Sequence, residues 1–326
     1  MRINMAHGSG GKASAELMKD IFGKYFSNEI LNRMEDAAVL EMNGRVAYST
    51  DTFVVTPVEF KGGDIGKLAV CGTVNDLLMM GAKPKYLTAG FILEEGLEID
   101  LLDRIAASMA KTAAEAGVQI VAGDTKVVEG KGGLFINTSG IGILPEGCEI
   151  SAANCAAGDR ILLSGNLGDH HACILSARMG IDNNIKSDCA CLNPMVNALL
   201  EGGIRIKAMR DVTRGGLGTV LNEIAASSRC GIEMQEGSLP VAPEVKGFCD
   251  ILGLDPLYMG NEGKMIAVVS QEDAERALEL MRNTEQGKNA ALIAEVTDGK
   301  GVAMKTRLGG SRVVDVLYGE GLPRIC

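Results

Sequence analysis

Within the first 35 residues a Gly-rich segment gives way to a helical pattern. Leu17, Ile21 and Tyr25 recur one turn apart, with Met18, Phe22 and Phe26 beside them. From about residue 36 strands and helices mix. Residues 46–50 and 53–55 read as strands, and 65–80 as a helix ended by Gly81 and Pro84. An apolar strand at 86–93 is followed by an Ala-rich helix at 101–116, stopped by Gly117. Residues 118–122 and 134–144 read as buried strands. The apolar pattern lapses over 145–158, where a domain boundary is expected. Beyond it come strands at 160–164, 264–269, 292–296 and 301–304, and helices at 167–179, 194–202, 217–228 and 271–281. The end, 318–326, carries Gly319, Gly321 and Pro323 and reads as an extended tail. The expected organisation is an N-terminal segment (1–35), a first domain (36–147), a second domain (155–305) and a tail (306–326). With helices and strands in both halves, the class is α/β of the α+β type.

Charge narrows the partners. Lys and Arg total 32 against 42 Asp and Glu, a net charge of −10, and no basic run offsets it. Such a chain is repelled by nucleic acid and anionic lipid. No apolar stretch reaches membrane-spanning length, and residues 1–6 do not read as a secretory signal, so a cytoplasmic protein is expected. Nine cysteines, an odd number, argue against a disulfide framework. Cys189 and Cys191 form a C-x-C without a neighbouring His, which does not read as a zinc site.

The candidate chemistry begins at His7-Gly8-Ser9-Gly10-Gly11-Lys12-Ala13. It fits G-x-G-x-x-A but lacks the preceding buried strand of a dinucleotide fold, and it is not a Walker A loop. Its glycines allow backbone N–H groups to converge on an anion, with Lys12 and the following helix adding positive charge. A flexible linker fits the glycines equally well. Aspartates then fall within or beside apolar segments: Asp36 opens Asp-Ala-Ala-Val-Leu, Asp51 ends a strand, Asn75-Asp76 sits inside an apolar helix, and Asp124-Thr125-Lys126 follows Ile-Val-Ala-Gly. Singly, each reads as a cap or turn. Together they suit Mg²⁺, which takes a few carboxylates plus phosphate oxygens and water.

In the second half, Asp211-Val-Thr-Arg214-Gly215-Gly216 precedes a helix and can hold phosphate or simply cap it. His170 and His171 lie in another strand-to-helix turn and read as turn residues rather than metal ligands. Asn261-Glu262-Gly263 reads as a surface turn unless the fold carries it to a site. The last residue is Cys326, a thiol on an arm able to carry cargo into one site and present it to another.

These motifs, with the ending Pro323-Arg324-Ile325-Cys326, closely resemble the HypE family of hydrogenase maturation proteins over essentially the whole chain. The central motifs are shared with a wider superfamily that includes aminoimidazole ribonucleotide synthetase, selenophosphate synthetase and thiamine-phosphate kinase. The resemblance implies a two-domain fold, a homodimer, and ATP-dependent dehydration of a carboxamide on Cys326 to a thiocyanate, the source of a cyanide ligand for nickel–iron hydrogenase. It implies ATP and Mg²⁺ as cofactors, and as partners the carbamoyltransferase HypF and the HypC–HypD scaffold. Glu262 is then the expected base and Lys126 the residue that orients phosphate or substrate oxygen. His7 to Lys12, Asp51, Asn75, Asp76, Asp124, Thr125, Asp211, Arg214, Gly215 and Gly216 are expected at the nucleotide, and Asp36, Asp51, Asp76 and Asp124 at metal. A related enzyme acting on a free small substrate, or a nucleotide-binding scaffold without turnover, would leave Cys326 without a catalytic role.

Overall fold

The structure, a computed structural model, describes residues 2–8, 12–33 and 37–316. A 3₁₀ turn at Met5–Gly8 precedes α1 (Lys12–Leu17), which continues through a π-helical turn (Met18–Phe22) into α2 (Gly23–Phe26). Leu17, Ile21, Phe22 and Phe26 are buried on this helical run, and the Phe22 ring meets Phe91 at 4.5 Å. Next come β1 (Val46–Phe53), a small hairpin of β2 (Glu59–Phe60) and β3 (Gly63–Asp64), and α3 (Ile65–Met79). β4 (Lys83–Glu94), α4 (Ile99–Ala116), β5 (Gln119–Val128) and β6 (Leu134–Ile143) complete the first half. Its sheet has the order β1-β6-β4-β5, with only β4 and β5 parallel.

Helix α3 is the pivot. The Asp64 side chain caps it by accepting from the Lys67 amide. Nearly all of its residues are buried, Val74 and Leu78 as fully as Ile65, so it has no solvent face. One side lies on β1 and β6, and the other meets the second half of the chain.

The second half contains β7 (Arg160–Leu163), α5 (Asp169–Met179), α6 (Asn193–Glu201), β8 (Ile206–Asp211), α7 (Gly216–Ser228), β9 (Gly231–Gln235) and α8 (Pro243–Leu252). It ends with β10 (Met265–Val269), α9 (Ala274–Arg282), β11 (Ala291–Thr297), β12 (Gly301–Lys305) and β13 (Ser311–Val314). The seven strands run in the order β13-β12-β9-β11-β7-β10-β8. β10, buried at every position, is an unbroken apolar run, as expected inside a sheet covered on both faces.

Three expectations change. The strands expected at 46–50 and 53–55 are one strand, because polar Asp51 and Thr52 still pair with β6. The strand expected at 118–122 continues to Val128, so Asp124 lies mid-strand rather than at a strand end. β8, β9 and α8 were not evident from the pattern. β8 is a sheet edge carrying Lys207 and Arg210, and α8 is short and interrupted by Gly247.

Candidate active site

The pleat of β1 turns Ala47, Ser49 and Asp51 toward α3 and leaves Val46, Tyr48, Thr50 and Thr52 exposed. The Ser49 hydroxyl donates to Asp76 Oδ2 on α3 at 2.5 Å. From the second half, Asp211 closes β8 and Glu262 stands just ahead of β10, both half-buried. These four acids face one another across the junction. Burial, followed by the charges of Asp188, Asp211, Asp51 and Asp76, pushes the Glu262 carboxyl well above its ordinary range. Burial and Asp76 push Asp211 up to about 6, against the pull of Arg210. Asp51 and Asp76 are raised too, mainly by burial. Arg214 opposes the rise at Asp51. Glu262 thus meets the exception to its surface-turn reading: the fold carries it to the junction. The antiparallel pairing of β10 with β8 carries it to the same end of the sheet as Asp211.

The turn after β8 requires its glycines. Gly215 and Gly216 have φ of +81° and +63°, and a Cβ on Gly216 would lie 2.5 Å from the Tyr258 carbonyl carbon. This geometry starts α7 beside Asp211 and leaves Arg214 exposed.

Asp124 and Lys126 lie elsewhere. Asp124 shares a row with Gly90 on β4, Asn137 on β6 and Thr52 on β1, on the sheet face opposite Asp51. The two side chains are 68% and 66% exposed and pair with each other at 2.8 Å. The Lys126 hydrogen bond lowers the Asp124 pKa. Thr125 points the other way, to the helix-covered face, and lines a cavity of 580 Å³ with Phe22, Phe26, Phe91 and Ala38.

Near the N-terminus, His7 is buried and its Nδ1 engages the Asn4 backbone. Gly8 lies against Val127, where a Cβ would come within 2.8 Å. Lys12 pairs with Glu16 at 3.7 Å on the surface. Asn75, expected at nucleotide, has both ends of its side-chain amide engaged inside the chain. It donates to the Ala190 carbonyl (3.0 Å) and accepts from the Leu192 amide (2.9 Å). Ser9, Gly10, Gly11, Asp36 and Cys326 lie outside the described residues.

The histidines are also not turn residues. His170 and His171 are buried in the first turn of α5, with His170 Nδ1 on the Ser187 hydroxyl at 2.8 Å. The C-x-C motif meets a third cysteine, with Cys191 Sγ 3.4 Å from Cys71 Sγ on α3. Sequence reasoning missed Asp188 and Lys264, a buried ion pair at 3.2 Å. The available signal was slight: Lys264 directly precedes an apolar strand, and Asp188 precedes the small apolar run Cys189-Ala190-Cys191.

Among the described residues, no group of three or more His, Cys, Asp or Glu is arranged to hold a metal ion on its own. Asp51 and Asp76 nevertheless fit a hard cation whose remaining ligands are phosphate oxygens and water. They are acidic oxygens, close together, and burial disfavours their charge unless a positive partner arrives.

Residues 34–144 match the N-terminal domain of AIR synthase related proteins, and residues 156–307 match the C-terminal domain. The chain is 49% identical to the carbamoyl dehydratase HypE of Rhodobacter capsulatus over 335 residues, covering 100% of this chain and 98% of that protein. A crystal structure of the hydrogenase maturation protein HypE in complex with ATP superposes with a TM-score of 0.95 at 47% identity, covering 99% of each chain. The structure of a HypE–HypF complex matches with a TM-score of 0.82 at 50% identity, covering 92% of this chain and 99% of that one.

Proposed function

Because this chain belongs to the HypE family of AIR synthase related proteins, we infer that it is an ATP-dependent carbamoyl dehydratase of hydrogenase maturation. The observation that carries the reading to particular residues is the junction of Asp51, Asp76, Asp211 and Glu262, contributed by both halves of the chain. Its substrate is a carboxamide on the Cys326 sulfur, and its product is the thiocyanate that supplies cyanide to the iron of nickel–iron hydrogenase.

A carboxamide oxygen leaves poorly. Transfer of the ATP γ-phosphoryl group to that oxygen turns it into phosphate, a good leaving group, and releases ADP. Loss of the two nitrogen protons and of phosphate then leaves the C≡N triple bond on sulfur. Phosphoryl transfer asks mainly for positioning and charge neutralisation. Asp51 and Asp76, with Asp36 as a further candidate, would hold Mg²⁺, which when bound neutralises phosphate charge; Asp124, on the opposite face and at the far edge of the sheet, would not share that ion. The Gly8–Gly11 loop and Arg214 contribute positive groups for the phosphates. The cavity beside Thr125, walled by Phe22, Phe26 and Phe91, suits a flat apolar ring such as the base. Glu262, its basicity raised by burial and by neighbouring acids, takes a proton from nitrogen. Lys126, on the open sheet face and at the far edge from Asp51, would orient the oxygen at the site of the partner copy that packs on that face.

HypF loads the thiol and the HypC–HypD scaffold accepts the cyanide. A homodimer forms on the open face of the first sheet, where Val46, Tyr48, Ile92 and Val128 are exposed. No described helix is long and apolar enough to cross a membrane. The eight described cysteines are all free thiols, in keeping with the cytoplasm. The test is Cys326→Ala: ATP binding persists while no thiocyanate forms. Undiminished product would overturn the reading.

A further inference from the structure

Between α5 and α6 the chain passes from the second half back to α3, and this crossing segment is pinned at both ends. Ser187 donates its amide to the Lys61 carbonyl, and its hydroxyl accepts from the Cys189 amide. Farther along, Ala190 and Leu192 hold the two ends of the Asn75 amide, one residue before Asp76. Asp188 lies between these anchors with its side chain 3% exposed.

The Asp188 carboxylate is aimed at the Glu262 loop. It accepts from the Glu262 amide at 3.2 Å and from the Gly263 amide at 3.1 Å, and it pairs with Lys264 at 3.2 Å. The Ala190 amide reaches back to the Glu262 carbonyl at 3.4 Å. Gly263 is glycine because a Cβ there would lie 2.0 Å from the Asp188 carbonyl oxygen. The two segments therefore run in direct contact, and one carboxylate clamps three successive residues, Glu262, Gly263 and Lys264. The same segment reaches Asp76 through Asn75, so it ties both halves of the acidic junction to one strut.

We propose that Asp188 is a positioning residue of the dehydration reaction. It holds the Glu262 backbone so that the carboxyl faces the junction, and its charge, balanced on one side by Lys264, stands behind that carboxyl. The proposal rests on Glu262 being the base. Asp188 itself touches no substrate. A buried carboxylate bound by two amides and an ammonium is held charged, and its pKa is lowered despite burial. A structural ion pair needs only its own charges balanced. This one also bonds the backbone at the candidate base, which ties its geometry to the reaction.

Removing one partner of a buried pair leaves an unbalanced charge. The test therefore uses Asp188→Asn/Lys264→Met, in which both charges go together. Full-length chains, carbamoyl-loaded on Cys326, are compared with Glu262→Gln for thermal midpoint, ATP affinity and rate of water loss by intact mass. The double variant should fold, bind ATP within about threefold of the parent, and dehydrate about 10²-fold more slowly. A merely structural pair would give parental dehydration in the double variant, and that result overturns the proposal. Should the double variant not fold, Asp188→Glu keeps the charge while displacing the clamp. It should slow dehydration about tenfold at unchanged ATP affinity, and a parental rate again overturns the proposal. Parental dehydration by Glu262→Gln sinks the base reading, and the positioning role with it. An inactive Glu262→Gln beside a fully active Asp188 variant sinks the positioning role alone.

Discussion

Two acidic regions of the first half carry the same residue type in opposite electrostatic states. At the junction, Asp51 and Asp76 are half-buried, face Asp211 and Glu262, and have raised pKa values. On the open sheet face, Asp124 is exposed, paired with Lys126, and has a lowered one. At the first region burial outweighs the attraction of Arg214 and Arg210, so the charged forms of Asp51 and Asp76 are disfavoured. The second is already neutralised and gives up little when its partner leaves. A carboxylate beside an apolar strand thus has no fixed meaning. Its face of the sheet and the charges opposite decide whether it stores unfavourable charge or balances a neighbour.

The largest effect should come from Glu262→Gln, which removes the proposed base, a carboxyl pushed well above its ordinary range. Dehydration should fall about 10²–10³-fold with ATP affinity little changed. Asp76→Asn sharpens the contrast further. It should weaken Mg–ATP binding about tenfold or more while raising the thermal midpoint of the nucleotide-free protein at pH 8, because a charge that burial disfavours is gone. Lys126→Ala should slow dehydration about tenfold. Asp124→Asn should change stability by less than about 0.5 kcal/mol, and a stability loss comparable to that of a buried ion pair would erase the distinction between the regions.

A separate, pH-dependent effect on stability concerns Asp169, pushed up to about 6 by burial and by the charge of Asp188, against the attraction of Lys264. A raised carboxyl contributes stability that is present below its unfolded pKa and lost as pH rises through about 6. Asp169→Asn should therefore raise the thermal midpoint at pH 8 and leave it nearly unchanged near about pH 4. His170, lowered to about 4, acts in the opposite sense, its contribution being lost as pH falls. Equal effects of Asp169→Asn at both pH values would contradict the assignment.

The long, strongly patterned elements were legible in the sequence. α3, α4 and β10 follow from uninterrupted apolar or helical spacing. The acids at 51 and 76 were legible as misfits beside apolar neighbours, and Asp211 as the residue opening a Gly-rich turn before a helix. Periodicity could not show that Asp124 and Asp51 face opposite sides of one sheet, because that depends on register across three strand pairings. Glu262 looked like a turn residue for the same reason, and Asp188 drew no reading at all. Each gains its meaning from a segment more than 70 residues away in the chain.

The central claim is that the acidic junction removes water from a group carried on the final thiol. Carbamoyl-loaded chain mixed with Mg–ATP and followed by intact and peptide mass tests it directly. The account predicts that Cys326 carries the added carboxamide and then loses one water in step with ADP release, and that Glu262→Gln halts at the carboxamide. ADP release with the carboxamide on Cys326 left intact would contradict it.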